Sequence, residues 1–219
     1  MNESGAAQQR SVEPISLLAR ALDPAIESPA DSVSERIIDA AVELVAASGL
    51  RNLTMEDVAR RAGVGRVTLY RRFGDKQGLI EATTLREGRR CLAELDAAAS
   101  PDQPIADQVA EGFVTSLRLV REHPLLSRLA RIEPEAVLAG LKAEGRGGFA
   151  LACAFLAERL RAAQRTGTLA AETPVEESAE LLVRLAMSFA LVEESVLPVE
   201  DPERAREFAR RLIAPIIGA

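Results

Sequence analysis

The 219 residues include no tryptophan, one tyrosine and six phenylalanines, so aromatic side chains make up only 3% of the chain. That is too few for an RNA-binding platform, which stacks bases on aromatic rings. One histidine, His123, and two cysteines, Cys91 and Cys153, are 62 positions apart at most and match no metal-ligand spacing. With no glycine-rich phosphate loop either, nucleophile, base and metal ligands are all missing. No enzyme activity, metal or cofactor is therefore expected. The acid pairs Glu133/Glu135 and Glu193/Glu194 read as solvated helix surface, and His123, just before Pro124, reads as structural. Two isolated thiols point to free cysteines in a reducing compartment. The longest uncharged run, Gly147 to Ala157, has 11 residues, against the roughly 18–20 that cross a bilayer. No basic stretch precedes the mildly apolar N-terminal segment, which Glu13, Arg20 and Asp23 interrupt, so it is not read as a signal peptide. A cytoplasmic location and no membrane partner are expected.

What the chain does contain is helix-forming sequence: 47% hydrophobic and 27% charged residues, dominated by alanine, leucine, arginine and glutamate. The net charge of −6 would argue against a nucleic-acid partner if it were evenly spread. It is not. Residues 1–33 carry a net −3, residues 34–90 a net +3 and residues 91–219 a net −6. A basic module on an acidic body is compatible with DNA, because association follows the local field. Three parts are expected: a flexible N-terminal arm over 1–31, a small module over 32–78, and a larger helical body over 79–219.

The module reads as helices separated by breaks. Ser32 and Glu35 fit a capping box, and Ile37, Ile38, Ala41, Val42, Leu44 and Val45 mark an apolar face that ends at Ser48-Gly49. Thr54 caps a second helix with Met55, Val58, Ala59 and Ala62 at helical spacing, broken by Gly63-Val64-Gly65. A third helix runs from Arg66 to Phe73, with Leu69 and Phe73 on one face, and Asp75 caps a fourth. Two short helices joined by a glycine-containing turn form a helix-turn-helix, whose second helix can enter a major groove. Arg66, Val67, Thr68, Tyr70, Arg71 and Arg72 occupy its other sides, with Lys76 at the next helix start, where a phosphate is favoured. On composition alone, a solvated face is the alternative reading of such a cluster.

The string from Leu53 to Leu79 closely resembles the DNA-binding module of the tetracycline-repressor (TetR) family of bacterial transcriptional regulators. The order Ala-x-x-Ala-Gly-Val (59–64), Thr-Leu-Tyr (68–70) and Phe-x-x-Lys (73–76) carries the resemblance, which covers about residues 33–85. It implies an all-α protein of about nine helices: a three-helix DNA-binding module with a helix-turn-helix, and a larger helical domain for ligand binding and dimerisation. It also implies roles for particular residues. Thr54 caps the second helix and can meet a phosphate; Gly65, Arg66 and Val67 sit where base edges are met. Thr68 and Tyr70 match positions that touch backbone or base, and Lys76 matches a phosphate-binding lysine. The sequence departs from the family pattern at Gly65, where serine is common, and at Arg72, where histidine or tyrosine is common; Arg71 and Arg72 add cations. The expected partner is double-stranded DNA carrying an inverted repeat, bound by a homodimer with half-sites roughly 34–36 Å apart per helical turn.

In the body, Leu79 to Ser100-Pro101 continues the fourth helix, Ile105 to Val120 forms the next, and His123-Pro124 stops it. Shorter helices are expected around Leu125 to Ile132 and Pro134 to Lys142, then a helix from Phe149 to Gln164. Between Pro174 and Val196, Val175, Ala179, Leu182, Ala186 and Phe189 form one apolar stripe, and Leu181, Leu185, Ser188, Val192 and Ser195 a second. With a final helix over Glu203 to Ile217, two apolar faces suit a four-helix dimer interface. Leu182, Phe189, Phe208, Leu212 and Ile216 are the candidates for it. Phe113, Leu117, Phe149, Phe155 and Met187 are candidates for lining an effector pocket, at spacings that plain core also explains; a small hydrophobic effector is the expected class. The chain thus reads as a ligand-responsive repressor. The alternatives are a constitutive or architectural DNA-binding protein without effector, and a helical protein-binding adaptor.

Overall fold

The computed structural model describes residues 31–132, 135, 148–192 and 194–218. The expected arm over 1–30, and the expected helix over Pro134 to Lys142 apart from Glu135, lie outside the described residues. Among the described residues every regular element is a helix. In order they are α1 (Ser32–Ser48), α2 (Met55–Ala62), α3 (Arg66–Phe73), α4 (Lys76–Ala98), α5 (Ile105–Glu122), α6 (Pro124–Ile132), α7 (Gly148–Thr166), α8 (Val175–Leu191) and α9 (Pro202–Phe208).

Local chemistry sets the boundaries, and in three places it differs from expectation. The N-cap of α1 is Asp31, whose carboxylate accepts from the Val33 N–H at 2.7 Å. Ser32 is helical instead, and Glu35, the expected return partner of a capping box, accepts from Arg86 at 2.8 Å. Helix α8 ends at Leu191 rather than continuing to Val196. Val192 is extended (φ −120°, ψ 101°), and the Ser195 hydroxyl accepts from the Leu197 N–H at 3.0 Å, a local turn in place of helical bonds. The C-terminal helix is not uniform. After α9 it widens to a π-turn over Ala209–Ile213 and tightens to 3₁₀ over Ala214–Ile217. Pro215 has no N–H and its ring crowds the carbonyl four residues back, so a regular helix cannot pass through it.

Three apolar clusters hold the elements together. The first joins Ile37, Ala41 and Val45 of α1 to Met55, Val58 and Ala59 of α2, and closes on Leu69 of α3 and Leu79 of α4. Leu125 of α6 also enters this cluster, so the segment after His123 packs on the N-terminal helices. The second binds α5 to α9 and the π-turn through Phe113, Leu117, Phe208 and Ile213. Its centre is a set of rings: Phe113 stands edge-on to Phe189 at 5.4 Å, and Phe208 lies 6.0 and 6.2 Å from the two. The third packs α7 on α8 through Leu160, Ala163, Val175 and Ala179.

One polar cluster is built around a buried carboxylate. Glu87 of α4 is 3% exposed. It holds the His123 ring nitrogen at 2.8 Å and the Arg86 guanidinium at 2.7 Å, and Arg86 reaches back to Glu35 at 2.8 Å and Asp39 at 2.7 Å on α1. Burial opposes the charge on Arg86, but the hydrogen bonds to Glu35, Asp39 and Glu87 outweigh it and raise the guanidinium's pKa further above its ordinary value. A buried carboxylate is tolerated only when so paired, and this one ties α1, α4 and the α5–α6 corner to each other.

Leu69→Ala is expected to cost about 2–5 kcal/mol, the range for emptying a fully buried leucine, read as a lower urea midpoint with loss of helicity.

Candidate nucleic-acid interface

The turn between α2 and α3 is built by its caps. Thr54 Oγ1 accepts from the Asp57 N–H at 3.1 Å and donates to the Asp57 carboxylate at 2.6 Å. That hydroxyl, followed by Arg60, holds the Asp57 carboxyl below its ordinary value. At the other end, Gly63 adopts a left-handed conformation (φ 65°, ψ 38°) and its N–H returns to the carbonyls of Ala59 and Arg60. Glycine adopts this conformation without steric cost, so the chain can reverse within three residues. Gly65 then starts α3 with no side-chain cap. The first amides of α3 therefore keep free donors at the positive end of the helix dipole.

Leu69 is the one fully buried side chain of α3. Stepping 100° per residue, Arg66, Val67, Tyr70 and Arg71 fall within an arc of about 140°. All four are exposed, Val67 by 81% and Tyr70 by 43%. An apolar side chain so open to water contributes nothing to the core. Arg66 lies 3.3 Å from Glu56 of α2, and Arg71 makes no ion pair with a described residue. Thr68 is half-buried. Arg72 lies on the other side of α3 and is ion-paired with Asp31, with the Ser34 hydroxyl at 2.9 Å. It therefore ties α3 to the start of α1, where the Val33 N–H and then Arg72 hold the Asp31 carboxyl below its ordinary value. Lys76 donates to the Arg51 carbonyl at 3.2 Å. The structure thus gathers Arg66, Val67, Tyr70 and Arg71 on one face, with Thr54 and Gly65 at the adjoining helix starts, and turns Arg72 away. The acidic partners Glu56 and Asp31 were not singled out from the sequence. Nothing in the spacing shows that residues ten and 41 positions away meet these arginines.

Within the body a cavity of about 150 Å³ lies between α4, α5, α7 and α8. Phe113 and Phe155 line it, with Leu92 and Leu95 of α4 and Val109 and Gly112 of α5. Of the other residues expected there, Leu117 is packed in the α5–α9 core and Phe149 sits under the Arg184 guanidinium at 4.9 Å. Met187 is half-buried on α8, outside the lining. Of the residues expected at a subunit interface, Leu212 and Ile216 are 51% and 45% exposed. Phe208 is not available to a partner, being 7% exposed in the ring cluster, and Leu182 and Phe189 pack half-buried against the same core. Leu181, at 42%, takes the outward position on α8. Both cysteines are free; burial, then Glu87 and Glu94, pushes the Cys91 thiol up to about 11. Among the described residues no cluster of His, Cys, Asp and Glu could hold a metal ion, and no helix is long and apolar enough to cross a membrane.

Residues 37–83 match the family model of bacterial regulatory proteins of the tetR family. Over 186 residues the chain is 27% identical to an HTH-type transcriptional regulator of Mycobacterium tuberculosis, covering 84% of this chain and 85% of that one. Among solved structures it is similar to Salmonella enterica GusR, with a TM-score of 0.64 at 20% identity over 85% of this chain and 96% of that one. It is also similar to the TetR family repressor AlkX of Dietzia, implicated in biodegradation of n-alkanes. There the TM-score is 0.59 at 27% identity, over 85% of this chain and 95% of AlkX.

Thr54→Ala is expected to lower the urea midpoint at neutral pH. Because Asp57 titrates lower in the folded chain than in the unfolded one, its contribution is present at neutral pH and fades as pH falls through the folded value. The gap between wild type and variant should therefore narrow below about pH 4, the ordinary aspartate range.

Proposed function

The chain belongs to the TetR family of transcriptional regulators, and from that membership we propose that it is a cytoplasmic repressor. It binds an inverted-repeat operator as a homodimer and changes its DNA affinity when a small hydrophobic effector enters the body. The single observation that carries the reading is the outer face of α3, which keeps Val67, Tyr70, Arg66 and Arg71 in solvent while Leu69 is the one fully buried side chain of the helix. In the assignment we propose, residues 32–78 form the DNA-binding domain and 79–219 the effector and dimerisation domain, with 1–31 ahead of them. Arg66 reads a guanine through O6 and N7, the pairing its fork geometry favours, and Val67 meets a thymine methyl. Gly65 gives the free amides of α3 access to the backbone, while Thr54, Thr68, Tyr70, Arg71 and Lys76 contact phosphates or sugars. Arg72 acts indirectly, by fixing α3 against α1.

Repression is supported by the Dietzia relative, itself a repressor. The homodimer is supported by the exposed apolar side chains Leu181, Leu212 and Ile216 on α8 and the C-terminal helix, an arrangement suited to a twofold four-helix contact. Relatives named as transcriptional regulators support a role other than catalysis. The apolar cavity supports a hydrophobic effector.

Band shifts on the palindromic DNA flanking the coding region test the reading. Arg66→Ala is expected to lose about 1–3 kcal/mol on the preferred sequence and to relax base preference. Lys76→Ala should weaken all sequences alike and reduce the salt slope by about 1. Unchanged base preference in the Arg66 variant would remove that residue from base readout. Light scattering should give a dimer at micromolar concentration, and Leu212→Glu a monomer that no longer retards the operator. A protein that retards DNA but responds to no effector would leave the constitutive reading standing.

A further inference from the structure

The α5 surface toward the cavity is a single stripe: Ile105, Gln108, Val109, Gly112, Phe113 and Ser116, stepping by three, one, three, one and three. Gly112 stands in the middle of it, in the interior of an 18-residue helix. Glycine is the poorest helix former after proline, so its place there has a cause. The backbone does not require it: Gly112 is not among the glycines of positive φ, and a Cβ built on it meets no atom within 4 Å. Gly78 of α4 is the contrast, since a Cβ there would lie 2.1 Å from the Phe73 carbonyl oxygen. Gly88 of α4 is likewise unobstructed but is exposed to solvent and lies outside the cavity lining. At Gly112 the missing side chain is space in the cavity itself.

Each polar side chain among the described residues of the lining already makes a hydrogen bond within the chain. Arg159 is ion-paired with Asp96 and donates to the Ala99 carbonyl at 2.6 Å. The Gln108 amide donates to the Gln103 carbonyl at 2.9 Å, and the Ser116 hydroxyl to the Phe113 carbonyl at 2.7 Å. Among the described residues no carboxylate lines the cavity to meet a cation, and the one guanidinium there, Arg159, has its charge already matched. A charged ligand would lose its hydration without compensation. A largely apolar cavity near 150 Å³ has room for a molecule the size of benzene.

We propose that this cavity binds a compact, uncharged, hydrocarbon-like ligand, and that Gly112 is the residue that keeps room for it. The proposal rests on the effector reading above and gives that effector its chemical class: organic anions and cations are rejected, and a side chain at position 112 sets the upper size.

Thermal unfolding of the full chain tests this with toluene, benzoate and benzylammonium, one ring carrying no charge, a negative charge or a positive charge. Toluene in tenfold excess over its dissociation constant is expected to raise the melting temperature by about 3 °C, and the two ions by less than a third of that. Gly112→Ala should shrink the toluene shift and Gly112→Leu abolish it, each unliganded variant melting at or above wild type. The alanine variant keeps the series readable if leucine impairs folding. The proposal is overturned if either ion stabilises as much as toluene, if toluene leaves the wild type unmoved, or if the variants keep its full shift. DNA retardation by the unliganded protein is measured alongside. Its persistence in any of these cases shows that only the ligand class has failed, whereas its absence removes the regulator reading itself.

Discussion

Helix α3 has eight residues, fewer than an isolated helix needs to persist in water. What keeps it formed is the insertion of Leu69 among Val58, Ala59 and Ile37, supported by half-buried Phe73 at the next turn. Every outward-facing side chain of α3 takes its position from that contact. The left-handed Gly63 turn sets the angle between α2 and α3, and the Arg72 ion pair with Asp31 ties α3 to the start of α1. A cationic surface is common in proteins; here its geometry is held by one buried leucine and the short turn before it.

The N-terminal helices are not an independent bead. Leu125 of α6 enters their core, and Arg128 donates to the Ala47 carbonyl at the end of α1, 3.2 Å away. Buried Glu87 joins the same corner to α4 through His123, and Arg86 carries the connection to Glu35 and Asp39. Helix α4 lines the cavity at Leu92 and Leu95, about one to two turns beyond this joint. A displacement of α4 must therefore either carry α1 with it or break the ion pairs of Arg86 with Glu35 and Asp39. The second course takes Glu35 and Asp39 from the guanidinium of the largely buried Arg86 and leaves it Glu87 alone. A contiguous chain of contacts thus runs from the cavity wall to the N-terminal helices.

The helix-turn-helix was the most legible part of the sequence. Its signals are local: Thr54 and Asp75 cap the helices expected of them, Gly63 breaks α2, and α3 has the predicted limits. Legibility fell wherever the outcome depended on a distant partner. Asp31 and not Ser32 caps α1, and the Glu35 carboxylate is held by Arg86, 51 residues on. The C-terminal helix read as continuous, but Pro215 distorts the turns before it. Phe208 was expected on a surface and lies instead against Phe113 and Phe189, because periodicity reports that a helix has two apolar faces without reporting which one its own domain covers.

Composition, caps and the three-and-four spacing of apolar residues determined that this chain is helical, where its short N-terminal helices begin and end, and that a basic module sits on an acidic body. All of these are properties of neighbours along the chain, within the reach of one or two helical turns. Tertiary structure alone decided that Arg66 stays exposed beside Glu56 and that Arg72 is taken up by Asp31. It also decided that Glu87 and His123 share a buried hydrogen bond, and that Gly112 faces empty space. These depend on contacts between residues ten to more than a hundred positions apart, and helical spacing carries no information about them.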